Sequence, residues 1–247
     1  MTEAQRVGQL FLVGLEGDPV SEAARAAADY HFGSWLLGAS ATAGVTGTAQ
    51  LTGAVQSLAS AHATDKVRFF IAANQEGGEI QALQGPGFQV MPSALAQGTL
   101  SPRTLERQAA DWGRELRSAG VNLDLAPVMD VVPPGTRIDP RHLAVFSSRV
   151  MRLMLRQQMH FPGVIVSDDL GAAAAVAGIP PRSRAIDFLA AGGDLITSQT
   201  LDAAAAMDRA ILGHIAVDAG FRAVVNSAVM RVLTAKQAYG LLPCARH

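Results

Sequence analysis

The stretch Val67–Ala82, VRFFIAANQEGGEIQA, decides how the chain is read. The run from Val67 to Ile71 is β-branched and aromatic, as suits a strand buried on both faces. It gives way to polar Asn74, Gln75 and Glu76, and the Gly77-Gly78 pair then breaks the pattern ahead of Glu79. A parallel α/β fold carries its sites at the carboxyl ends of its strands. The tip of this strand is therefore a candidate site, and a plain polar strand-to-loop junction is the competing reading.

Working outward, apolar strand patterns recur at Leu10–Leu15, Gly33–Leu37, Val121–Val132, Val164–Ser167 and Asp194–Ser198. Helical patterns separate them at Thr2–Gln9, Ser21–Asp29, Ala49–His62, Pro102–Ala119, a stretch ending near Gln158, and Arg182–Ala191. Ser101 and Pro102 form a cap and a first-turn proline. Ala39–Gly47 and Pro86–Gly98 read as loops, and Thr200–Leu242 as two final helices. Six strands alternating with helices predict a parallel sheet wound with helices. No linker divides residues 1–247, so one domain is expected.

Composition narrows the function. Hydrophobic residues are 49% and charged residues 17% of the 247, with 20 basic against 21 acidic side chains. With no basic cluster, nucleic acid is not an expected partner. A mean hydropathy of +0.21 without a membrane-length apolar run suggests surface hidden in a homo-oligomer. A lone Cys244 excludes an intrachain disulfide, and six scattered histidines show no metal-ligand spacing. No metal or cofactor is expected. The amino terminus lacks a signal-peptide pattern, which points to the cytoplasm.

The segments AANQEGGEIQ, GPGF, MPSA, GVNLDLAPVMDV, FPGVIVSDDL and DFLAAGGDLI, in that order, resemble the barrel domain of glycoside hydrolase family 3. The branch they are most similar to is the single-domain bacterial β-N-acetylglucosaminidases, and the likeness extends to RVGQLFLVGLEG and DYHFGSWLL near the start. The resemblance implies a TIM-barrel (β/α) fold and a retaining double displacement on a sugar ligand, with Asp168 of the SDD motif as nucleophile. A carboxylate at a strand tip suits that role. Asp169 is more readily a cap for the next turn.

The resemblance also fails in places. Only 37 residues separate Asp130 from Asp168, and one βαβ unit alone takes roughly 30. The family fits two strands and the His-Asp acid/base loop into this interval, so the fifth and sixth βα units are expected to be missing. His160-Phe161-Pro162-Gly163 echoes part of the family's Lys-His-Phe-Pro-Gly-His-Gly motif, although a structural His160 is the better reading. At sugar-contacting positions the family's acid is Asn74 and its arginine is Glu79. Its arginine-serine pair is not recognisable, with Arg137 the residue nearest that place.

Gln75 completes the candidate binding set of Asn74, Gln75, Glu79, Arg137 and His160. Glu76, Asp130 and Asp169 are the carboxyls available to replace the lost acid. Three functions remain open: a glycosidase with weak, altered or absent hydrolysis, an enzyme doing acid-base chemistry on a small metabolite, and a non-catalytic sugar- or protein-binding pseudoenzyme. Six strands would either reclose or leave two edges.

Overall fold

The computed structural model describes residues 1–38, 41–127, 139 and 142–243. Asp130, Arg137 and Cys244, each singled out from the sequence, lie outside the described residues.

Chain order gives α1 (Glu3–Gly8), β1 (Phe11–Leu15), α2 (Pro19–Tyr30), β2 (Ser34–Leu37), α3 (Gly44–Gln56), α4 (Ala61–Thr64) and β3 (Phe70–Ala73). A small hairpin, β4 (Gln75–Gly77) with β5 (Ile80–Gln81), is followed by α5 (Ala94–Gln97), α6 (Pro102–Ser118) and β6 (Leu123–Asp124). After a 3₁₀ turn at Ala144–Phe146 and a π-helix at Arg149–Gln158 come β7 (Val166–Asp169), α7 (Pro181–Ala191), β8 (Leu195–Ser198), α8 (Leu201–Val217) and α9 (Ala219–Ala238).

Six strands form one sheet in the order β6-β3-β2-β1-β8-β7, all pairs parallel. This is the order of an eight-stranded barrel from which two units have gone between β6 and β7. The sheet curls as a partial barrel. Those two strands are its edges and, among the described residues, do not pair with each other. The fold is thus a TIM-barrel-derived parallel (β/α) fold reduced to six strands, and among the described residues the sheet is unclosed.

Local chemistry explains most boundaries. Thr2 and Gln5 form a reciprocal capping box on α1, and Ser101 accepts from Thr104 N ahead of Pro102 on α6. Few aromatics are present, yet they concentrate where β1–β3 begin. Trp35 stands edge-on to Phe32 and to Phe69, with centroids at 6.5 and 5.7 Å, and all three are fully buried. Full burial of such a side chain contributes up to about 3 kcal/mol.

Several sequence expectations need correction. The expected helix Ala49–His62 starts earlier, at Gly44, and is interrupted after Gln56, because Ser60 caps a separate turn by accepting from Ala63 N. Of the strand expected over Val121–Val132, the described residues 121–127 pair with β3 at Leu123–Asp124, opposite Ala72 and Ala73. The loop expected over Pro86–Gly98 contains α5, capped by Ser93. The strand expected from Val164 begins at Val166.

The glycine turn of the deciding stretch is structural. Gly77 has φ +95°, and a Cβ there would lie 2.2 Å from Pro92 O. Only glycine lets the segment around Met91–Ser93 close over the hairpin, where Gly78 N donates to Met91 O at 2.9 Å.

Candidate active site

The carboxyl ends of β3, β7 and β8 converge on a cavity of about 320 Å³, with Leu125, just past β6, on its wall. Its polar lining includes Asn74, Glu76, Ser167, Asp168, Asp169 and Gln199. A wider cleft of about 740 Å³ adjoins it over the tips of β1 and β2, sharing Asn74 and Gln199 and adding Glu16, Glu79 and Gln84.

The two aspartates of the SDD segment have different surroundings. Asp169 Oδ1 accepts from Gly171 N at 2.7 Å and Gln199 N at 3.0 Å, and Oδ2 from Ala172 N at 3.0 Å. Its carboxylate is therefore spent on folding the loop after β7 and tying it to the end of β8. Asp168 is exposed to the cavity, and among the described residues it takes one hydrogen bond, from Asp169 N to Oδ1 at 2.7 Å. The second carboxylate of the pair builds the loop, and the first points at whatever enters.

The tip of β3 divides in the same way. Gln75 is buried, donating Nε2 to Leu83 O and accepting from Leu83 N at Oε1, both at 3.0 Å. It works as a side-chain rung of the sheet. Its neighbours Asn74 and Glu76 are half-buried and line the cavity. Glu79, exposed at the hairpin turn, faces the wider cleft and is not among the residues around Asp168.

His160 is not brought to this site. It precedes β7, at the amino end of the strand whose carboxyl end carries Asp168, and is exposed with φ 51°. The turn it belongs to is held by Arg156, whose guanidinium donates to Phe161 O, Gly163 O and Asp194 Oδ2. Fully buried Asp194 also accepts from Arg231 Nε at 2.6 Å and Ile165 N at 2.8 Å. This ion cluster closes the amino ends of β7 and β8.

Sequence reading missed Asp124. It sits on β6, and its Oδ1 accepts from Gln75 N at 3.1 Å. Burial pushes its carboxyl up to about 6, with the Gln75 bond opposing and the Glu76 charge adding. The available signal was a single acid inside the otherwise apolar LDLAPV. Gln199 was missed because it lies one residue past the last strand.

Among the described residues, no group of three or more His, Cys, Asp or Glu side chains is placed to hold a metal. No helix among them is long and apolar enough to cross a membrane.

A curled parallel sheet with an aspartate at a strand tip over a polar cavity defines a barrel-derived α/β scaffold with its candidate site at the carboxyl ends of the strands. Residues 2–139 match the family model described as the glycosyl hydrolase family 3 N terminal domain. The chain belongs to that family. A crystal structure of a β-N-acetylhexosaminidase from Beutenbergia cavernae is 30% identical with a TM-score of 0.90, covering 96% of this chain and 99% of its own. A family 3 β-N-acetylglucosaminidase from Paenibacillus sp. is 22% identical with a TM-score of 0.85, and the match spans all of this chain and 64% of that one. A family 3 glycosyl hydrolase from Mycobacterium smegmatis is 17% identical with a TM-score of 0.77, covering 94% of this chain and 96% of the other. A search of curated proteins gives no match.

Proposed function

We propose that the cavity at the carboxyl ends is a reduced N-acetylhexosaminide site. In it Asp168 keeps the place of the nucleophile and the acid partner has been lost. Hydrolysis is then slow and confined to leaving groups that depart without being protonated. One observation carries this reading: the described lining around Asp168 holds Glu76, Asp169, Asn74 and Gln199 but no His, Lys or Arg. The 30% identity to a β-N-acetylhexosaminidase supports the sugar class.

A retaining glycosidase needs a carboxylate to form the glycosyl ester and a second group to protonate the departing oxygen and later deprotonate water. Asp169 is committed to three backbone amides, which leaves Glu76 as the second carboxyl on the cavity wall. General acid catalysis contributes about 10²–10⁴-fold, and that is the deficit expected with a sugar leaving group.

The test is a chromogenic N-acetyl-β-glucosaminide assay on the wild type and Asp168→Asn. Slow turnover lost on substitution supports the reading, whereas turnover that survives Asp168→Asn contradicts it. Saturable N-acetylglucosamine binding without turnover would favour a non-catalytic binding protein.

A second reading, acid-base chemistry on a small metabolite, is favoured by Asp124. A carboxyl near pKa 6 beside Glu76 is poised for proton transfer close to neutral pH.

A further inference from the structure

A third cavity, of about 730 Å³, runs under α6 along β6, whose outer edge is unpaired among the described residues. Met91, Leu105, Trp112, Leu116, Val121 and Leu123 give it an apolar lining. In a complete barrel the next strand would pair along β6 here, so the space follows from the missing units. Glu76 lies on the walls of both this cavity and the one containing Asp168. One carboxylate thus separates a polar chamber holding the nucleophile from an apolar chamber carrying an indole.

Resting on the function proposed above, we infer that the apolar chamber receives the leaving group and that the substrates are aryl glycosides, N-acetylhexosaminides of phenols. The volume is within the roughly 300–1,000 Å³ of small-molecule sites, and Trp112, only 7% exposed, offers a ring its preferred offset or edge-on partner. At the inner end the wall includes Asp124, which is half-buried.

Leaving-group chemistry points the same way. A phenol has an acidity near that of tyrosine, pKa about 10, and is far more acidic than water. An aryloxide therefore departs without the proton that this site is poorly equipped to give. In the first step an Asp168 oxygen bonds to the anomeric carbon, and the C–O bond to the aryl group breaks with its electron pair leaving as aryloxide. In the second, water bonds to the same carbon and loses a proton to Glu76, and the ester bond breaks with its pair returning to Asp168. Glu76 then gives its proton up to solvent and the aryloxide takes one from solvent, so that the products are the free sugar and the phenol and both carboxylates are restored.

Calorimetry with the phenyl and methyl 1-thio-N-acetyl-β-glucosaminides, whose sulfur linkage resists cleavage, separates this inference from the reading beneath it. The phenyl compound is expected to bind about tenfold more tightly or better, a difference of about 1.4 kcal/mol. Leu105→Glu, at a half-buried position, and Trp112→Ala are each expected to collapse that difference. Equal binding of both compounds to the wild type would overturn the aryl site while leaving the sugar site standing. A difference that persists in both variants would also overturn it, because the ring would then lie elsewhere. Binding of neither compound would overturn the sugar-site reading and this inference together.

Discussion

Lys236 Nζ donates to Gln9 Oε1 at 2.7 Å, joining α9 to the turn before β1 across 227 residues of chain. The same nitrogen donates to Gly33 O at 2.6 Å and lies 5.3 Å from the Phe70 ring centroid. Complete burial pushes its pKa down to about 7. The unfolded chain therefore holds one more proton between about pH 7 and 10.5, and stability rises with pH across that window. The effect is on the order of a few kcal/mol. Denaturant midpoints at pH 7 and 9.5 are predicted to increase for the wild type and to stay nearly level for Lys236→Met. A midpoint that falls over this interval would contradict the assignment.

Asp208 on α8 works in the opposite sense. Burial pushes its carboxyl up to about 7, against the nearby Arg209 charge, and Oδ1 is buried without a recorded partner among the described residues. Folding binds its proton between about pH 4 and 7, so its contribution is present at low pH and lost as pH rises through 7. Asp208→Asn is predicted to stabilise the protein at pH 8 and to change little at pH 4, by thermal or chemical unfolding. Equal effects at both values would refute this.

Neighbouring aspartates of β7 separate structure from chemistry. Asp169→Ala strands three backbone amides and is predicted to cost about 2–4 kcal/mol of stability. Asp168→Asn, at an exposed position, is predicted to cost less than about 0.5 kcal/mol while abolishing turnover. Unfolding curves of the two variants decide between this division of labour and one in which both are structural.

Glu76→Gln removes the group assigned to deprotonating water. Turnover of an activated aryl glycoside is predicted to fall about 10²-fold and to recover when azide, which needs no deprotonation to attack, replaces water as the acceptor. A wild-type rate in Glu76→Gln would remove Glu76 from the mechanism.

What the sequence disclosed follows a physical line. Phe11–Leu15 and the core of the strand around Phe70–Ala73 were legible because long apolar runs have few alternatives, and the Ser101-Pro102 start of α6 because capping is local chemistry. The extent of β6 was not legible: Val121–Val132 is apolar enough to continue, but among the described residues the ladder with Ala72 and Ala73 ends at Asp124. Gln75 reads in sequence like a ligand contact and proves to be bonded to Leu83, because a polar side chain can complete a sheet as well as grip a sugar. The reduction to six strands was readable from the short interval between Asp130 and Asp168. Asp124 was hidden in an apolar pattern that gave no hint of its contact with the tip of β3. The apolar chamber beside Glu76 could not be anticipated, since it is built by α6, β6 and the hairpin loop together.

The central claim is a nucleophile that has outlived its acid, and the most direct measurement is the dependence of kcat/KM on leaving-group acidity. A series of substituted phenyl N-acetyl-β-glucosaminides, with N,N′-diacetylchitobiose as the unactivated member, supplies the range. The account predicts a steep loss of rate as leaving-group pKa rises, with chitobiose cleaved at least about 10²-fold more slowly than the most activated phenol. A flat dependence, with chitobiose cleaved at a comparable rate, would show that an efficient acid is in place and would contradict it.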